Sequence, residues 1–304
     1  MIQVENFSDA KNIFLDAIQF GAFHMADDGT HSFHYTSLSG LKGILDSRQF
    51  YVTEYHYLND MEEFEYVDDL LRETLEEETG SSHLYEFLKE AVEKYLQQSR
   101  VLHKSPEESF YVLSFSKEKD NLTLWAEFAS YGCNFEANPY AMFDEGLIYH
   151  SVIYDRNDQK DLVRSSIRSA FENFFVDVNQ YSVEPALSEY LDTLNESQID
   201  IVAECIVELV VYYGMLMKNS LYESEKEFRV IFSGKGKEIF YREKENMFVP
   251  YIKMPLAEGH WLGDCLTLAP LNHTESCRNS IQSYFRGLGY DKVQVEYSKI
   301  RLRY

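Results

Sequence analysis

The stretch EFRVIFSGKGKEIFYREKENMFVPYIKM, residues 227–254, decides the fold class because it predicts three successive β-strands. Segments 227–233, 237–242 and 247–254 are rich in β-branched and aromatic residues, and short polar stretches separate them. Two more strands are expected beyond them, at 264–270 and 291–298, with a helix at 273–288 between the two. The C-terminal third of the chain therefore predicts a sheet.

Towards the N-terminus, further strands alternate with long helical stretches. Strands are expected at 31–37, 51–60, 108–116 and 146–155, and helices at 8–22, 60–78, 82–101, 121–132 and 157–217, with a short helix beginning at Leu38. Strands thus lie at both ends of the chain and helices mostly in its middle. We expect an α+β fold in a single domain, 1–304, with helical segments 60–101 and 157–217 packed on the sheet.

Composition limits the functions that the chain can have. The formal net charge of −23 opposes non-specific attachment to nucleic acid and to an anionic membrane. A nucleic-acid substrate would therefore need a local basic surface. The four cysteines and nine histidines show no metal-ligand spacing, so no metal is predicted. No apolar run is long enough to cross a membrane, and we expect a cytoplasmic protein.

Two short polar motifs are the candidates for a site. His34 and Thr36 flank Tyr35 in the first strand and share one of its faces, and Glu227 and Arg229 likewise share a face of a late strand. Each motif has a purely structural explanation: a core histidine beside a helix-capping threonine, and an intrastrand ion pair.

Between these motifs lies YVLSFSKEKDNLTLWAEFA, residues 111–129. Ser114, Phe115 and Ser116 end a predicted strand, and Trp125 lies on the following helix. Capping of that helix by Ser116 and core packing of Trp125 are the structural alternatives to ligand binding.

These segments carry a resemblance to a bacterial family, the one catalogued as domain of unknown function 2971, over nearly the whole chain. The matching segments are HYTSLSGLKGIL (34–45), YLNDMEEF (57–64), the segment 111–129 quoted above, KNSLYESEKEFRV (218–230) and GYDKVQVEYSKIRLRY (289–304). The chain departs from the family pattern at Phe228, where tryptophan is usual, and at Ala269-Pro270, where Gly-Pro is usual.

A second resemblance, over short motifs only, is to ADP-ribosyltransferases of the DarT type, which modify DNA bases with NAD. His34-x-Thr36 followed by a leucine-rich helix, and Glu227 at the start of a late strand, occur in the order that these enzymes show. The resemblance implies a mostly antiparallel, split sheet of the ADP-ribosyltransferase-like type with a helical insertion. It also implies NAD as co-substrate and a toxin or phage-defence effector.

The resemblance further implies roles for the candidate residues. Glu227 would stabilise the oxocarbenium-like transition state and His34 would bind a ribose hydroxyl. The NAD-binding residues would be His34, Tyr35, Thr36, Ser114, Phe115, Ser116, Trp125 and Arg229. The acceptor, a nucleic acid or a protein, stays open.

Two other functions compete with this interpretation. A non-catalytic nucleotide-sensing or protein-interaction module would suit Arg229 beside Glu227 and the acidic composition. A nuclease or phosphodiesterase is weaker, because the sequence lacks the carboxylate cluster that binds the metal ions of such enzymes.

Overall fold

A computed structural model describes residues 31–58, 63–78, 80, 83–99, 105–146, 148–174, 195–259 and 262–301. The chain divides into two compact units, each of which is described by itself. One contains the helices of segments 59–104 and 153–220, and the other contains the sheet, from segments 26–58, 105–152 and 221–304. The predicted helix at 8–22 lies outside the described residues.

In the second unit, the described residues form a sheet of ten strands. The strands are β1 (Ser32–Thr36), β2 (Gln49–Glu54), β3 (Phe110–Ser116), β4 (Cys133–Ala137), β5 (Ile148–Ser151), β6 (Glu227–Ser233), β7 (Phe240–Lys244), β8 (Met247–Pro255), β9 (Leu262–Leu268) and β10 (Gln294–Tyr297). Among these strands β9 and β10 pair in parallel, and the other pairs are antiparallel. The expected α+β class with a mostly antiparallel sheet is confirmed.

The sheet forks at β3. Strand β6 pairs with β3 along its whole length, from Phe110 to Ser116. The opposite edge of β3 is shared, because β1 pairs with it at Ser116 and β2 pairs with it at Tyr111 and Val112. From the fork one wing continues as β1-β4-β9-β10 and the other as β2-β8-β7.

The helices of the sheet unit are short. They are α1 (Leu38–Ser47), α4 (Leu122–Phe128), α5 (Pro139–Met142) and α8 (Glu275–Gly287). Ser37 caps α1, since its hydroxyl accepts a hydrogen bond from the Gly40 amide at 3.0 Å. The main apolar core lies on one face of the sheet, around Phe50, Phe115 and Phe135.

One helix end and one strand differ from the sequence predictions. Gly132 was expected to end the helix at 121–132, but α4 ends at Phe128. Gly132 instead lies where a Cβ atom would come within 2.1 Å of the Thr36 carbonyl oxygen, so glycine is needed for close backbone approach. Strand β4 was not predicted, because it is only five residues long and directly follows the helix expected at 121–132.

The helical unit contains α2 (Glu63–Glu78), α3 (His83–Ser99), α6 (Arg156–Phe174) and α7 (Glu196–Gly214). Lys160 on α6 is nearly buried and donates to Glu73 at 2.7 Å and to Glu77 at 2.6 Å on α2. Asp60, at the start of the predicted helix 60–78, and residues 175–194 of the predicted helical stretch 157–217 lie outside the described residues. Packing of these helices on the sheet within one domain stays a prediction. No helix in the described part of the chain has the length and apolarity to span a membrane.

Candidate functional site

The two sequence motifs meet at the C-terminal end of β3. The Nδ1 atom of His34, on β1, donates a hydrogen bond to the Ser114 carbonyl oxygen of β3 at 3.1 Å. On the other edge of β3, Glu227 is the cross-strand partner of Ser116. The segment Ser114–Ser116 therefore joins the two motifs, although they are almost two hundred residues apart in the sequence.

The motifs project from opposite faces of the sheet. Cross-strand partners share a face, so Glu227 lies on the face of Ser116, which is also paired with Phe33. Alternation along β1 then places His34 on the other face. The ring contacts agree, because the His34 ring lies 5.5 Å from each of the Phe115 and Phe135 rings in the apolar core. The two halves of the predicted site are adjacent but do not converge on one face.

The histidine at the fork is held neutral. His34 is half-buried among aromatic rings, with the Phe50 ring edge-on at 5.2 Å, and this desolvation lowers the pKa of His34 to about 4. Because a carbonyl oxygen can only accept, Nδ1 carries the proton and Nε2 is an acceptor. Within the described part of the chain, Nε2 has no hydrogen-bond partner.

The carboxylate at the start of β6 is held by the arginine two residues later. Arg229 donates from Nε to Oε1 of Glu227 at 2.8 Å and from Nη2 to Oε2 at 3.0 Å. Only 1% of Arg229 and 7% of Glu227 are exposed, so both charges are buried in this bidentate pair. Arg229 was predicted to bind NAD, and in this structure its guanidinium holds Glu227.

The backbone before Glu227 is strained. Lys226 has a φ of 44°, in the left-handed region that residues with a Cβ atom rarely adopt. Ser116 secures this turn, because its hydroxyl donates to the Glu225 carbonyl at 2.5 Å and accepts from the Glu118 amide at 2.9 Å. Ser116 was predicted to bind the cofactor, but in this structure its hydroxyl positions the chain on either side of the site.

Tyr35 and Trp125, two of the predicted ligand-binding aromatic residues, pack at the loop that follows β3. The Tyr35 hydroxyl donates to the Glu118 carbonyl at 2.7 Å, and the Tyr35 ring contacts the Trp125 ring at 4.7 Å. Trp125 and Phe115 are 1% and 3% exposed, so neither ring face is open for stacking on a ligand. Thr36 is half-buried, and its hydroxyl lies where it would clash with a Cβ atom added at Gly40.

Asp120 anchors the same loop and was missed by the sequence analysis. Its carboxylate accepts from the Trp125 indole at 2.7 Å, the Ser298 hydroxyl at 2.6 Å and the Lys299 amide at 2.7 Å. These bonds join the segment after β3 to the segment after β10. A loop carboxylate among charged neighbours gives no local signal of this role.

A row of polar side chains crosses one wing and was also missed. Tyr35 pairs with Asn134, Asn134 with Thr267, and Thr267 with Glu296, so the row spans β1, β4, β9 and β10. Asn134 is fully buried and donates to the Lys119 carbonyl at 2.5 Å, and its Oδ1 atom has no hydrogen-bond partner among the described residues. The alternation of polar and apolar residues in 133–137 was the available signal.

His150, on β5, adds a further polar side chain beside the Glu227–Arg229 ion pair. It pairs with Arg229 across β5 and β6 and is 7% exposed. Ser114 pairs with Arg229 from β3, so the ion pair is flanked on both sides by polar side chains. Among the described residues, no group of histidine, cysteine, aspartate and glutamate is placed to hold a metal ion.

Comparisons of the chain with protein-family models, with curated proteins and with solved structures return no match. The two family resemblances carried by the sequence motifs stay predictions.

Proposed function

We propose that this chain is an NAD-dependent protein of the ADP-ribosyltransferase type, whose NAD site lies at the fork of the sheet. The observation that carries the proposal is His34, a neutral histidine at the fork with an acceptor Nε2 atom that no described residue uses. A ribose hydroxyl is a donor suited to that atom. His34 and Glu227 lie on opposite faces but both lie beside the segment Ser114–Ser116, so the proposal requires NAD to reach both side chains around the C-terminal end of β3.

The chemistry follows from the position of Glu227. Cleavage of the bond between nicotinamide nitrogen and ribose C1′ leaves positive charge on the ribose, and the bonding electrons depart with nicotinamide. A carboxylate near C1′ stabilises that charge and orients or deprotonates the acceptor nucleophile, which forms the new bond to C1′. Arg229 donates one hydrogen bond to each oxygen of Glu227, so each oxygen keeps a second lone pair that can accept a hydrogen bond from the ribose or the acceptor.

The test is release of nicotinamide from NAD by the purified protein, with and without candidate acceptors. We expect release by the wild type and its loss in Glu227→Gln, with NAD affinity reduced in His34→Ala. Glu54→Gln is the matched control, since Glu54 is another buried carboxylate of the sheet, 3% exposed, with a histidine partner 2.7 Å away. Absence of both nicotinamide release and NAD binding from the wild type would exclude the proposal.

The buried ion pair favours a second candidate function, a non-catalytic module that binds a nucleotide or a protein. A carboxylate held at both oxygens and 7% exposed is arranged for stability more than for turnover. This alternative expects NAD to raise the melting temperature while no nicotinamide is released. It also expects Glu227→Gln to leave any cellular phenotype unchanged.

A further inference from the structure

Three aromatic rings form a row on the wing β2-β8-β7. Tyr51 and Tyr251 stack with ring centroids 4.9 Å apart and planes 29° from parallel, and Tyr251 stacks on Phe240 at 5.6 Å and 29°. The row begins on β2, crosses β8 and ends on the edge strand β7. Tyr51 is 47% exposed, so the β2 end of the row is open to solvent.

Two cations lie against this row. The Lys253 ammonium is 3.8 Å from the Phe240 ring centroid and 5.7 Å from that of Tyr51. The Arg242 guanidinium is 5.8 Å from the Tyr251 ring centroid and donates to the Thr53 hydroxyl at 2.7 Å. Neither cation makes an ion pair with a carboxylate of the described chain, so their charge is not neutralised there.

The face that carries the row contains no acidic residue. We name it the aromatic face, and the register assigns to it these residues: Gln49, Tyr51, Thr53, Phe240, Arg242, Lys244, Met247, Val249, Tyr251, Lys253 and Pro255. The whole chain has 51 acidic and 28 basic residues, so a surface with three basic residues and no carboxylate departs from the average composition. It is a local basic surface of the kind that a polyanion needs in order to bind a protein with a net charge of −23.

We propose that the aromatic face binds single-stranded nucleic acid, with a base stacked on the exposed end of the Tyr51 row and phosphates beside Lys253 and Arg242. Stacking on aromatic rings needs an unpaired base, whereas the bases of a duplex are enclosed by their neighbours. Cations beside the rings complement the phosphate at each nucleotide step. The surface needs neither NAD nor Glu227, so it stands whether or not the proposed enzyme activity exists.

The test is fluorescence anisotropy of labelled oligothymidine and oligouridine of about 12 nucleotides, with a duplex of the same length and no NAD present. We expect both single strands to bind the full chain and the duplex to bind more weakly. Tyr51→Ala and Lys253→Gln should each weaken binding about tenfold, and Lys253→Gln should lower the salt slope by about one. The DNA and RNA probes reveal which sugar is preferred, and binding of either supports the proposal.

Matched controls separate the aromatic face from the rest of the surface. Tyr131→Ala removes a tyrosine that is 71% exposed elsewhere in the sheet unit, and Lys235→Gln removes an exposed lysine. Both should bind like the wild type, and thermal unfolding verifies that every variant is folded. The proposal is overturned if neither single strand binds, if the duplex binds as tightly, or if the folded Tyr51→Ala and Lys253→Gln variants bind like the controls.

Discussion

Arg229 and Glu227 form a bidentate ion pair within one strand, with N–O distances of 2.8 and 3.0 Å, at a position where both side chains are almost fully buried. Residues two apart in a strand share a face, so strand β6 alone brings the two side chains together. Each charge has been taken out of water, and each contributes to the compensation of the other. Stability and the proposed chemistry therefore meet in the same two side chains.

Removing one member of this pair should destabilise the protein strongly. We expect Arg229→Met to lower the free energy of unfolding by about 3–5 kcal/mol, because the Glu227 carboxylate stays buried after it loses the cation that binds both of its oxygens. The double variant Glu227→Gln/Arg229→Met should lose less than the sum of the single variants. Urea unfolding of the four proteins measures the coupling, and strictly additive losses would show that the pair does not act as a unit.

The sequence could predict strand β6 with its bounds, since 227–233 combines β-branched and aromatic residues between turns. It could also place Glu227 and Arg229 on one face, because alternation within a strand is local. It could not place His34 relative to Glu227. That relationship depends on the pairing of Phe33 with Ser116, which is a long-range choice that no local pattern encodes.

Two glycines of the sheet unit should respond to alanine in opposite ways. In Gly132→Ala the new Cβ atom would lie 2.1 Å from the Thr36 carbonyl oxygen, which belongs to the backbone and cannot turn aside. We expect a loss of about 1–3 kcal/mol in the free energy of unfolding. Gly43 lies within α1 with no atom within 4 Å of an added Cβ, so Gly43→Ala should gain about 1 kcal/mol. Equal effects of the two changes would contradict the close approach at Thr36.

Asp120 should control the environment of Trp125. Asp120→Ala leaves the indole N–H of a tryptophan that is 1% exposed without its acceptor, which costs about 1–3 kcal/mol. In a Trp261→Phe background the fluorescence reports Trp125 alone, and we expect its emission to shift to longer wavelength as water enters. Asp120→Asn keeps an acceptor oxygen and should shift less, and Glu118→Ala, at an exposed site, should not shift. An unchanged spectrum in Asp120→Ala would show that the loop is held by other contacts.

The parts of the site that the sequence could not supply share a physical cause. Asn134, Thr267 and Glu296 become neighbours only after four strands have paired in register. The fork arises because β1 and β2 both pair with the same edge of β3. Which strands occupy that edge depends on the relative stability of the alternative strand pairings. Local propensity predicts that strands exist, but it does not determine which partner each strand takes.

The neutral state of His34 makes protein stability depend on pH. Its pKa is about 4 in the folded protein, against 6.5 for an unburied histidine. Above pH 6.5 the ring is neutral in both states, so its contribution to stability is fully present there. Between pH 6.5 and 4 the unfolded chain takes up a proton that the folded protein does not, and stability is lost as the pH falls through this window.

The expected loss from His34 across this window is on the order of 3 kcal/mol, at about 1.4 kcal/mol for each unit of pKa difference. Carboxylates also titrate below pH 5, so the informative quantity is the difference between the wild type and His34→Asn. Asparagine cannot take up the proton, so the unfolding free energy of His34→Asn should fall less between pH 6.5 and 4.5 than that of the wild type. Titration of the imidazole by NMR gives the direct measurement. A neutral ring down to pH 5 agrees with burial among Phe50, Phe115 and Phe135, whereas a midpoint near 6.5 would mean that water reaches the ring and that the fork is open without a ligand.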